Sequence, residues 1–395
     1  MKRKVLCFIL VLVMSMGISI TAFAETSVNV NGKQVNAPAG CEVVTDGVTA
    51  IEDMIVVRNI TDAYGNNSKY GVMNINGSMV VPLIYDNINL FSEGLAAVCV
   101  SQPYQYELYP GVMVTASNDK IGFIDKTGNV VIPMIYDSIS SSTVSWGDGS
   151  TGTGSRKSPG FSEGLVSVQK DGKWGVIDRL GNTIIPFKYD LPVGSFHNGL
   201  ASYSSGTKSG FVNSSGKVVV PAKYDYVADF SEGYAIVAKN NPASQYGDML
   251  YGAVDMQGNL CVPMQFGYMQ NFKEGMACVS DQPYGKGYYG FVNTAGALAV
   301  PIQYTKAYSF SNGLAVVAVR DERFAEPVIQ NRYGYINTQG NVVVPLEYSN
   351  AYTFENGIGK ASLNEADHLG NGTSAQFSGN AQYVYFDVNG NKVNR

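Results

Sequence analysis

The chain has 395 residues, of which 45% are hydrophobic and 15% are charged, and its formal net charge is −5. This acidic balance disfavours binding to nucleic acid, because contact with the phosphate backbone depends on clustered Lys and Arg. Glycine (44 residues) and tyrosine (26 residues) are abundant. Abundant glycine and aromatic residues in short segments favour an all-β protein that is rich in tight turns.

Residues 1–24 have the pattern of a secretory signal peptide. The basic residues Lys2–Lys4 precede the apolar stretch Val5–Met16, and Ala22–Ala24 is a small-x-small cleavage site. The apolar stretch is short for a membrane span, and no later stretch is long and apolar enough to cross a bilayer. We therefore expect cleavage after Ala24, a mature net charge of −8, and a secreted or extracellular protein associated with the cell surface, without a transmembrane segment.

Residues 25–42 predict a short N-terminal lead or hairpin. Val28 and Val30 alternate with polar residues, Asn31-Gly32 is a favourable two-residue turn, and Val35 follows. The segment either packs on the main body as an edge ribbon or remains a flexible lead. Residues 43–395 are predicted to form one repeat domain.

The repeat domain consists of seven copies of a unit, of which Lys173–Gly199 (KWGVIDRLGNTIIPFKYDLPVGSFHNG) is one. In every copy the first glycine is followed by a second glycine six residues later and by a proline eleven residues later. A phenylalanine comes next, with another glycine three residues after it. The first glycines are Gly71, Gly122, Gly175, Gly210, Gly252, Gly290 and Gly334; the phenylalanines are Phe91, Phe161, Phe196, Phe230, Phe272, Phe310 and Phe354. Spacing this regular is typical of a repeat architecture.

Each unit predicts four short strands that are separated by tight turns. The second glycine allows a positive φ, and an Asp or Asn begins the same turn, as Asp125, Asp178 and Asp255 do, because either side chain accepts backbone hydrogen bonds. The proline lies inside the second strand, which predicts a bulge or a bend at that point. The phenylalanine recurs in all seven units, which favours a core residue over a binding residue.

The two ends of the domain resemble fragments of one unit. Val43–Asn59 matches the second half of a unit, and Tyr383–Val393 matches the first half, with Val384 in place of the first glycine. Repeats bury their apolar faces by stacking, either in a closed ring or in an open solenoid. The halves predict a β-propeller-like array of seven full units plus one blade shared between the N- and C-terminal halves; the alternative is an open β-solenoid.

These residues resemble the WG-repeat family, also called KWG repeats, which is found in exported bacterial proteins. The resemblance covers most of the repeat domain, although only Trp174-Gly175 shows the eponymous dipeptide literally. It implies a β-propeller-like assembly. It implies no catalytic residues, because the family motif is structural.

The distance between units varies, which locates insertions in particular joints. Five insertions follow a predicted fourth strand: Ser101–Lys120, Asn240–Leu250, Ser280–Gly287, Asp321–Asn331 and Asn364–Gln382. A sixth, Ser138–Gly160, is assigned after a second strand. We expect all six on one face, where long loops on a rigid scaffold usually carry function. Their aromatic residues are the candidate binding residues: Tyr104, Tyr106, Tyr109, Trp146, Tyr246, Tyr284 and Phe324. The alternative is that these aromatic side chains pack on the blades.

The sequence gives little support to metal or catalytic chemistry. Its two histidines, His197 and His368, do not suggest a catalytic triad or a zinc site. We expect no metal and no cofactor. Four cysteines follow the signal: Cys41, Cys99, Cys261 and Cys278. Cys261 and Cys278 lie in one repeat and either form a disulfide or remain buried thiols.

The sequence therefore predicts an exported, non-catalytic binding scaffold. It would recognise a protein partner or a cell-envelope polymer through one loop face, without nucleic acid, as a monomer. Two alternatives remain open at this point. Carboxylates from different blades could converge to form a polysaccharide-acting enzyme, or the chain could be a structural spacer in a surface assembly.

Overall fold

The structure, a computed structural model, describes nine segments of the chain: residues 27–30, 33–44, 52–59, 68–140, 160–244, 248–283, 287–321, 331–362 and 382–394. Every element in these segments is a β-strand. The described residues accordingly contain no helix that could span a membrane. The predicted signal peptide lies outside them.

The chain divides into two compact units. Unit 1 comprises Met1–Ser141 with Ser155–Gly160, and unit 2 comprises Ser142–Gly154 with Phe161–Arg395. The described strands of unit 1 are β1 (Ser27–Val30), β2 (Lys33–Asn36), β3 (Cys41–Val43), β4 (Met54–Asn59), β5 (Tyr70–Asn74), β6 (Met79–Tyr85), β7 (Asn87–Ile88), β8 (Leu95–Tyr109), β9 (Val112–Asp125), β10 (Val130–Tyr136) and β11 (Ser138–Ile139).

Unit 2 continues the same pattern. Its described strands are β12 (Leu165–Lys170), β13 (Lys173–Asp178), β14 (Thr183–Tyr189), β15 (Leu200–Ser205), β16 (Lys208–Asn213), β17 (Val218–Tyr224), β18 (Tyr226–Val227), β19 (Tyr234–Asn240), β20 (Met249–Asp255), β21 (Leu260–Phe266), β22 (Tyr268–Met269), β23 (Met276–Ser280), β24 (Tyr289–Asn293), β25 (Leu298–Tyr304), β26 (Lys306–Ala307), β27 (Leu314–Arg320), β28 (Asn331–Asn337), β29 (Val342–Tyr348), β30 (Asn350–Glu355), β31 (Ile358–Ser362), β32 (Tyr383–Phe386) and β33 (Lys392–Val393).

Both units are β-propeller-like arrays of small antiparallel sheets, which we call blades. The order β18-β19-β20-β21 is typical of them: neighbours in the sheet are neighbours in sequence. A blade takes the third and fourth strands of one sequence repeat and the first and second strands of the next. The sequence repeat is therefore offset by half a blade from the structural one.

This offset overturns the prediction of a shared blade. The N-terminal half-unit supplies β3 and β4, which form a blade with β5 and β6 inside unit 1. The C-terminal half-unit supplies β32 and β33, which form a blade with β30 and β31 inside unit 2. In both blades the fourth strand pairs with the next first strand, β4 with β5 and β31 with β32. The same pairing joins β12 and β13 across the two-residue turn Asp171-Gly172.

In each sequence repeat, the proline and the first glycine face each other across a bulge. The β9–β10 register shifts on both sides of Ile132, next to Pro133. A Cβ atom on Gly122 would lie 2.5 Å from the Ile132 carbonyl oxygen. A Cβ atom added to any of the other first glycines would lie 2.2 to 2.8 Å from the corresponding carbonyl oxygen. The predicted bulge is confirmed, and it lies on an edge strand, where a missing N–H is tolerated. Val384 stands in the blade of β30–β33, and among the described blades this is the one whose last strand contains no proline.

The predicted turn chemistry is also confirmed. The second glycines have φ between +78° and +88°. The Asp125 Oδ1 atom accepts the backbone N–H groups of Thr127 at 2.8 Å and Asn129 at 2.9 Å. The Asn293 Oδ1 atom accepts those of Ala295 and Ala297 at 3.1 and 3.0 Å. Asp and Asn are therefore equivalent at the start of this turn.

The repeated phenylalanines are core residues, as predicted. All seven are buried, with exposed fractions between 1% and 6%. Phe310, which precedes β27, packs edge-on against Phe291 of the preceding blade, with the ring centroids 4.8 Å apart. In unit 1, Phe91 packs with Val56 and Val72 of the preceding blade. Consecutive blades therefore share apolar side chains, as expected for repeats that cannot bury their own faces.

The first blade has a different neighbour. Strands β1 and β2 pair as an antiparallel hairpin. Val28 and Val35 of this hairpin, each 4% exposed, pack on Ile55, Val57 and Met73. The hairpin thus covers the face of the first blade that corresponds, in later blades, to the face packed on the preceding blade.

Candidate binding site

The insertion Ser101–Lys120 is an extension of two strands rather than a loop. The ladder between β8 and β9 runs without interruption from Leu95 opposite Asp125 to Glu107 opposite Met113, and closes with Tyr109 opposite Val112. Beyond the blade it forms a two-stranded antiparallel arm, Ser101–Lys120, which we call the ribbon. The expectation of a loop at this joint was therefore wrong.

The tip of the ribbon forms because of a few local residues. Pro110-Gly111 occupies the turn, and Gly111 has a φ of +82°, which favours glycine. The Glu107 Oε1 atom accepts the Gly111 backbone N–H at 2.6 Å. This carboxylate therefore helps to fix the reversal between the two strands.

Ion pairs hold the base of the ribbon. Lys120 pairs with Asp137. The backbone N–H of Ser101 donates to Asp86 Oδ2 at 2.9 Å, and Lys69 Nζ donates to Asp86 Oδ1 at 2.6 Å. Burial opposes ionisation of Asp86, but these hydrogen bonds outweigh it and lower the pKa of the carboxyl.

The three predicted tyrosines of this insertion are exposed on the ribbon. The exposed fractions are 51% for Tyr104, 40% for Tyr106 and 68% for Tyr109. Tyr104 and Tyr106 lie two residues apart on one face, and their ring centroids are 6.0 Å apart. Tyr109 lies next to the tip. The structure therefore brings these three tyrosines together on one arm instead of packing them on the blades.

Sequence reasoning missed three further exposed apolar residues on the ribbon. They are Leu108, Val112 and Met113, with exposed fractions of 49%, 48% and 58%. The alternation of apolar and polar residues from Tyr104 to Leu108, followed by Pro110-Gly111 and the apolar run Val112–Val114, is the signal that could have found them, because two apolar segments around a tight turn are typical of a hairpin. Isolated apolar side chains are common on surfaces, but six on one small arm form a candidate interaction surface.

The other four predicted binding residues, Trp146, Tyr246, Tyr284 and Phe324, lie outside the described residues. The structure does, however, change the position assigned to the insertion that contains Trp146. Strand β11 (Ser138–Ile139) occupies the first two residues of the insertion Ser138–Gly160 and is the third strand of its repeat. The longer part of this insertion therefore follows a third strand rather than a second. In an antiparallel meander that joint opens at the opposite end of the blade from the ribbon type of joint. The expectation that all six insertions share one face is therefore wrong.

A second group of exposed aromatic side chains lies on the last blade. Tyr352 and Tyr383 are 41% and 36% exposed, with ring centroids 6.4 Å apart. The Nζ atom of Lys360 lies 3.6 Å from the Tyr383 centroid and 5.1 Å from that of Tyr352. This arrangement is a cation–π cluster on a strand surface.

Asp125 is an ionisable group that serves a turn. The pKa of Asp125 is lowered to about 2, chiefly by the hydrogen bond from the Thr127 hydroxyl and further by Asn129, while burial acts in the opposite direction. No cluster of metal-ligating side chains occurs among the described residues. Cys261 and Cys278 are free thiols, and burial raises the pKa of Cys278.

Comparison with known proteins identifies the repeat. The family model for the WG-containing repeat matches eight segments, which together cover more than half of the chain: residues 70–102, 121–143, 159–174, 174–206, 210–241, 251–281, 289–321 and 333–365. The chain belongs to the WG-repeat family. The WG match confirms the resemblance inferred from the repeat spacing. No curated protein matches the chain.

Several solved structures are similar to this WG-repeat chain. A eukaryotic initiation factor has 10% identity over 82% of this chain and 92% of its own, with a TM-score of 0.37. A TolB-like protein from Agrobacterium tumefaciens has 11% identity over 47% and 78%, with a TM-score of 0.24. PorZ from Porphyromonas gingivalis, a surface component of a secretion system, has 11% identity over 85% and 54%, with a TM-score of 0.25. All three TM-scores are below 0.5.

Proposed function

We propose that this WG-repeat protein is an exported, non-catalytic binding scaffold. The ribbon makes the principal contact with a protein partner or a cell-envelope polymer, and the blades hold it in place. The observation that supports this proposal best is the exposure of Tyr104, Tyr106 and Tyr109 on one two-stranded arm.

Tyrosine side chains are well suited to binding at an interface. Its ring supplies a large contact area with few rotatable bonds, and its hydroxyl retains a hydrogen-bonding group. Residues of this kind often dominate the binding energy of a contact. The ribbon backbone is ordered by its own ladder, so little entropy is lost when the tyrosines are engaged.

Export is part of the same proposal. Its support is the signal pattern of residues 1–24. A mature chain that begins at Glu25 retains every strand of the described fold. The proposal therefore places the ribbon outside the cell, where envelope material is accessible.

The test is retention of the mature protein, residues 25–395, on washed envelope fractions. Changing Tyr104, Tyr106 and Tyr109 together to Ala should reduce the retained fraction at least about tenfold, because hot-spot aromatic side chains commonly contribute more than the equivalent of one order of magnitude. Tyr288→Ala is the matched control, since Tyr288 is 52% exposed and lies outside the ribbon. Equal retention of the triple variant and the wild type would refute the proposal.

A further inference from the structure

The ribbon has two edges whose backbone lacks a neighbouring strand. Strand β7 reaches only Val98 and Cys99 of β8, and β10 pairs with β9 only from Ile121 towards the blade. Among the described residues, neither edge of the ribbon beyond these points pairs with a further strand. An open edge of this kind is a template for another strand.

The two edges differ in the groups that they present. The Ser101 N–H donates to Asp86, away from β9, so Ser101 opposite Asp119 is a pair without mutual backbone hydrogen bonds. Because such pairs alternate along an antiparallel ladder, the same holds for the next three pairs. They are Pro103 opposite Ser117, Gln105 opposite Thr115, and Glu107 opposite Met113. The backbone groups of these residues therefore point outwards.

The β8 edge is poorly suited to pairing. The Ser101 N–H is already engaged, and Pro103 has no N–H to offer. The β9 edge has neither defect: Met113, Thr115, Ser117 and Asp119 all retain an outward N–H and C=O. Donors and acceptors at every second residue along Val112–Asp119, about 27 Å of strand, match the groups of another extended backbone.

We propose that an extended segment of a partner polypeptide pairs with the open edge of β9 as a third strand of the ribbon. This inference rests on the proposed function and names its partner class as protein. Side chains of the segment that lie beside Val114 would share the face of Tyr104 and Tyr106. Asp119 places a carboxylate beside the same edge. We therefore expect apolar residues at alternate positions of the segment and no acidic residue beside Asp119.

The probe is a set of octapeptides selected from a random library on the mature protein. Peptides that also bind a ribbon-less chain, in which residues 101–119 are replaced by Asp-Gly, are removed. Methylation of the peptide backbone nitrogen at alternate positions should weaken binding about tenfold, whereas methylation at the intervening positions should have little effect, because a strand donates from every second residue to one side. A library without any ribbon-dependent peptide, or an effect without this period, would contradict strand addition.

Two proline variants localise the edge. Ser117→Pro removes an outward N–H from β9 and should weaken peptide binding about tenfold. Gln105→Pro makes the same change on the β8 edge and should leave binding unchanged. Pro103, directly opposite Ser117, already shows that the ribbon accepts proline at an outward position. Equal binding by both variants, with circular dichroism unchanged, would overturn the inference.

The outcomes separate this inference from the proposed function. If the triple tyrosine variant loses retention but Ser117→Pro binds its peptides normally, the ribbon is a binding arm and strand addition is wrong. If the triple tyrosine variant is retained normally, the proposed function itself fails. Ribbon-dependent dimerisation in sedimentation experiments, without peptide binding, would identify a second copy as the occupant and contradict a partner segment.

Discussion

The base and the arm of the β8–β9 hairpin are made from the same two strands, yet they obey different constraints. At the base, Leu95–Val98 is buried at every position, with blades or strands on both sides. In the ribbon, residues 102–109 are exposed at every position, and each strand has only the other as a neighbour. The hydrogen-bonded ladder is continuous, so the difference lies entirely in what surrounds it.

This contrast separates residues that build the scaffold from residues that are free to bind. At the base, the repeat dictates a glycine, a proline and a phenylalanine at fixed spacing, because each meets the backbone or core of an adjacent strand or blade. None of the fixed glycine, proline or phenylalanine positions of the sequence repeat lies in the ribbon. Substitutions at the base should therefore lower the free energy of unfolding, and substitutions in the ribbon should change binding.

The largest effect is expected from Phe91→Ala. Phe91 is 3% exposed and fills the core between the two blades of unit 1, so its truncation should lower the free energy of unfolding by about 4 kcal/mol. Tyr106→Ala, in the exposed part of the same hairpin, should change it by less than about 0.5 kcal/mol. Urea denaturation of both variants measures the difference. Similar losses in the free energy of unfolding would show that the base and the ribbon do not differ in their contribution to stability.

The next largest loss of stability is expected from a substitution in β9, at Gly122, which we compare with Gly111 in the turn at the tip of the ribbon. Gly122→Ala would place a Cβ atom 2.5 Å from the Ile132 carbonyl oxygen and 2.7 Å from the Met134 nitrogen, which should cost about 3 kcal/mol. Gly111→Ala meets nothing within 4 Å and should cost about 1 kcal/mol, for its positive φ alone. Thermal denaturation can rank the two variants. The reverse order would refute the proposed role of the bulge.

The smallest expected effect is a loss of stability at acid pH. The pKa of Asp125 is lowered to about 2 from its ordinary value of 3.8. The ionised carboxylate therefore contributes fully to the free energy of unfolding above pH 4, and this contribution is lost as the pH falls towards 2. Solvent screening limits it to about 1 kcal/mol or less. Asp125→Asn should keep the turn, as Asn293 does, but lose this pH dependence. Parallel acid titrations of stability for wild type and variant, without a difference between pH 4 and 2, would contradict this assignment.

Much of the repeat could be predicted from the sequence because it is local. The turn at Asp125–Gly128, the buried phenylalanines and the bulge at the proline all follow from fixed spacings within one unit. The half-blade offset between the sequence repeat and the blade was missed. Asp171-Gly172 between β12 and β13 is nevertheless a favourable hairpin turn that joins two consecutive sequence repeats. Repeat spacing alone does not say which halves share a sheet, and the expected shared blade failed for that reason.

The site was harder to predict than the scaffold. Composition identified Tyr104, Tyr106 and Tyr109, but an insertion was equated with a loop. The strand character of the insertion depends on the pairing of Gln102–Glu107 with Met113–Asn118, and that pairing depends on the turn at Pro110-Gly111. The backbone edge of β9 became visible only with the register, because the register decides which amides point outwards.

The most direct test of the account is retention of the ribbon-less chain on envelope fractions. Replacing residues 101–119 with Asp-Gly copies the joint between β12 and β13, in which Lys170 opposite Lys173 corresponds to Val100 opposite Lys120. We expect a melting temperature close to that of the wild type and retention reduced to background. A well-folded ribbon-less protein that is retained as strongly as the wild type would contradict the claim that the ribbon is the binding element.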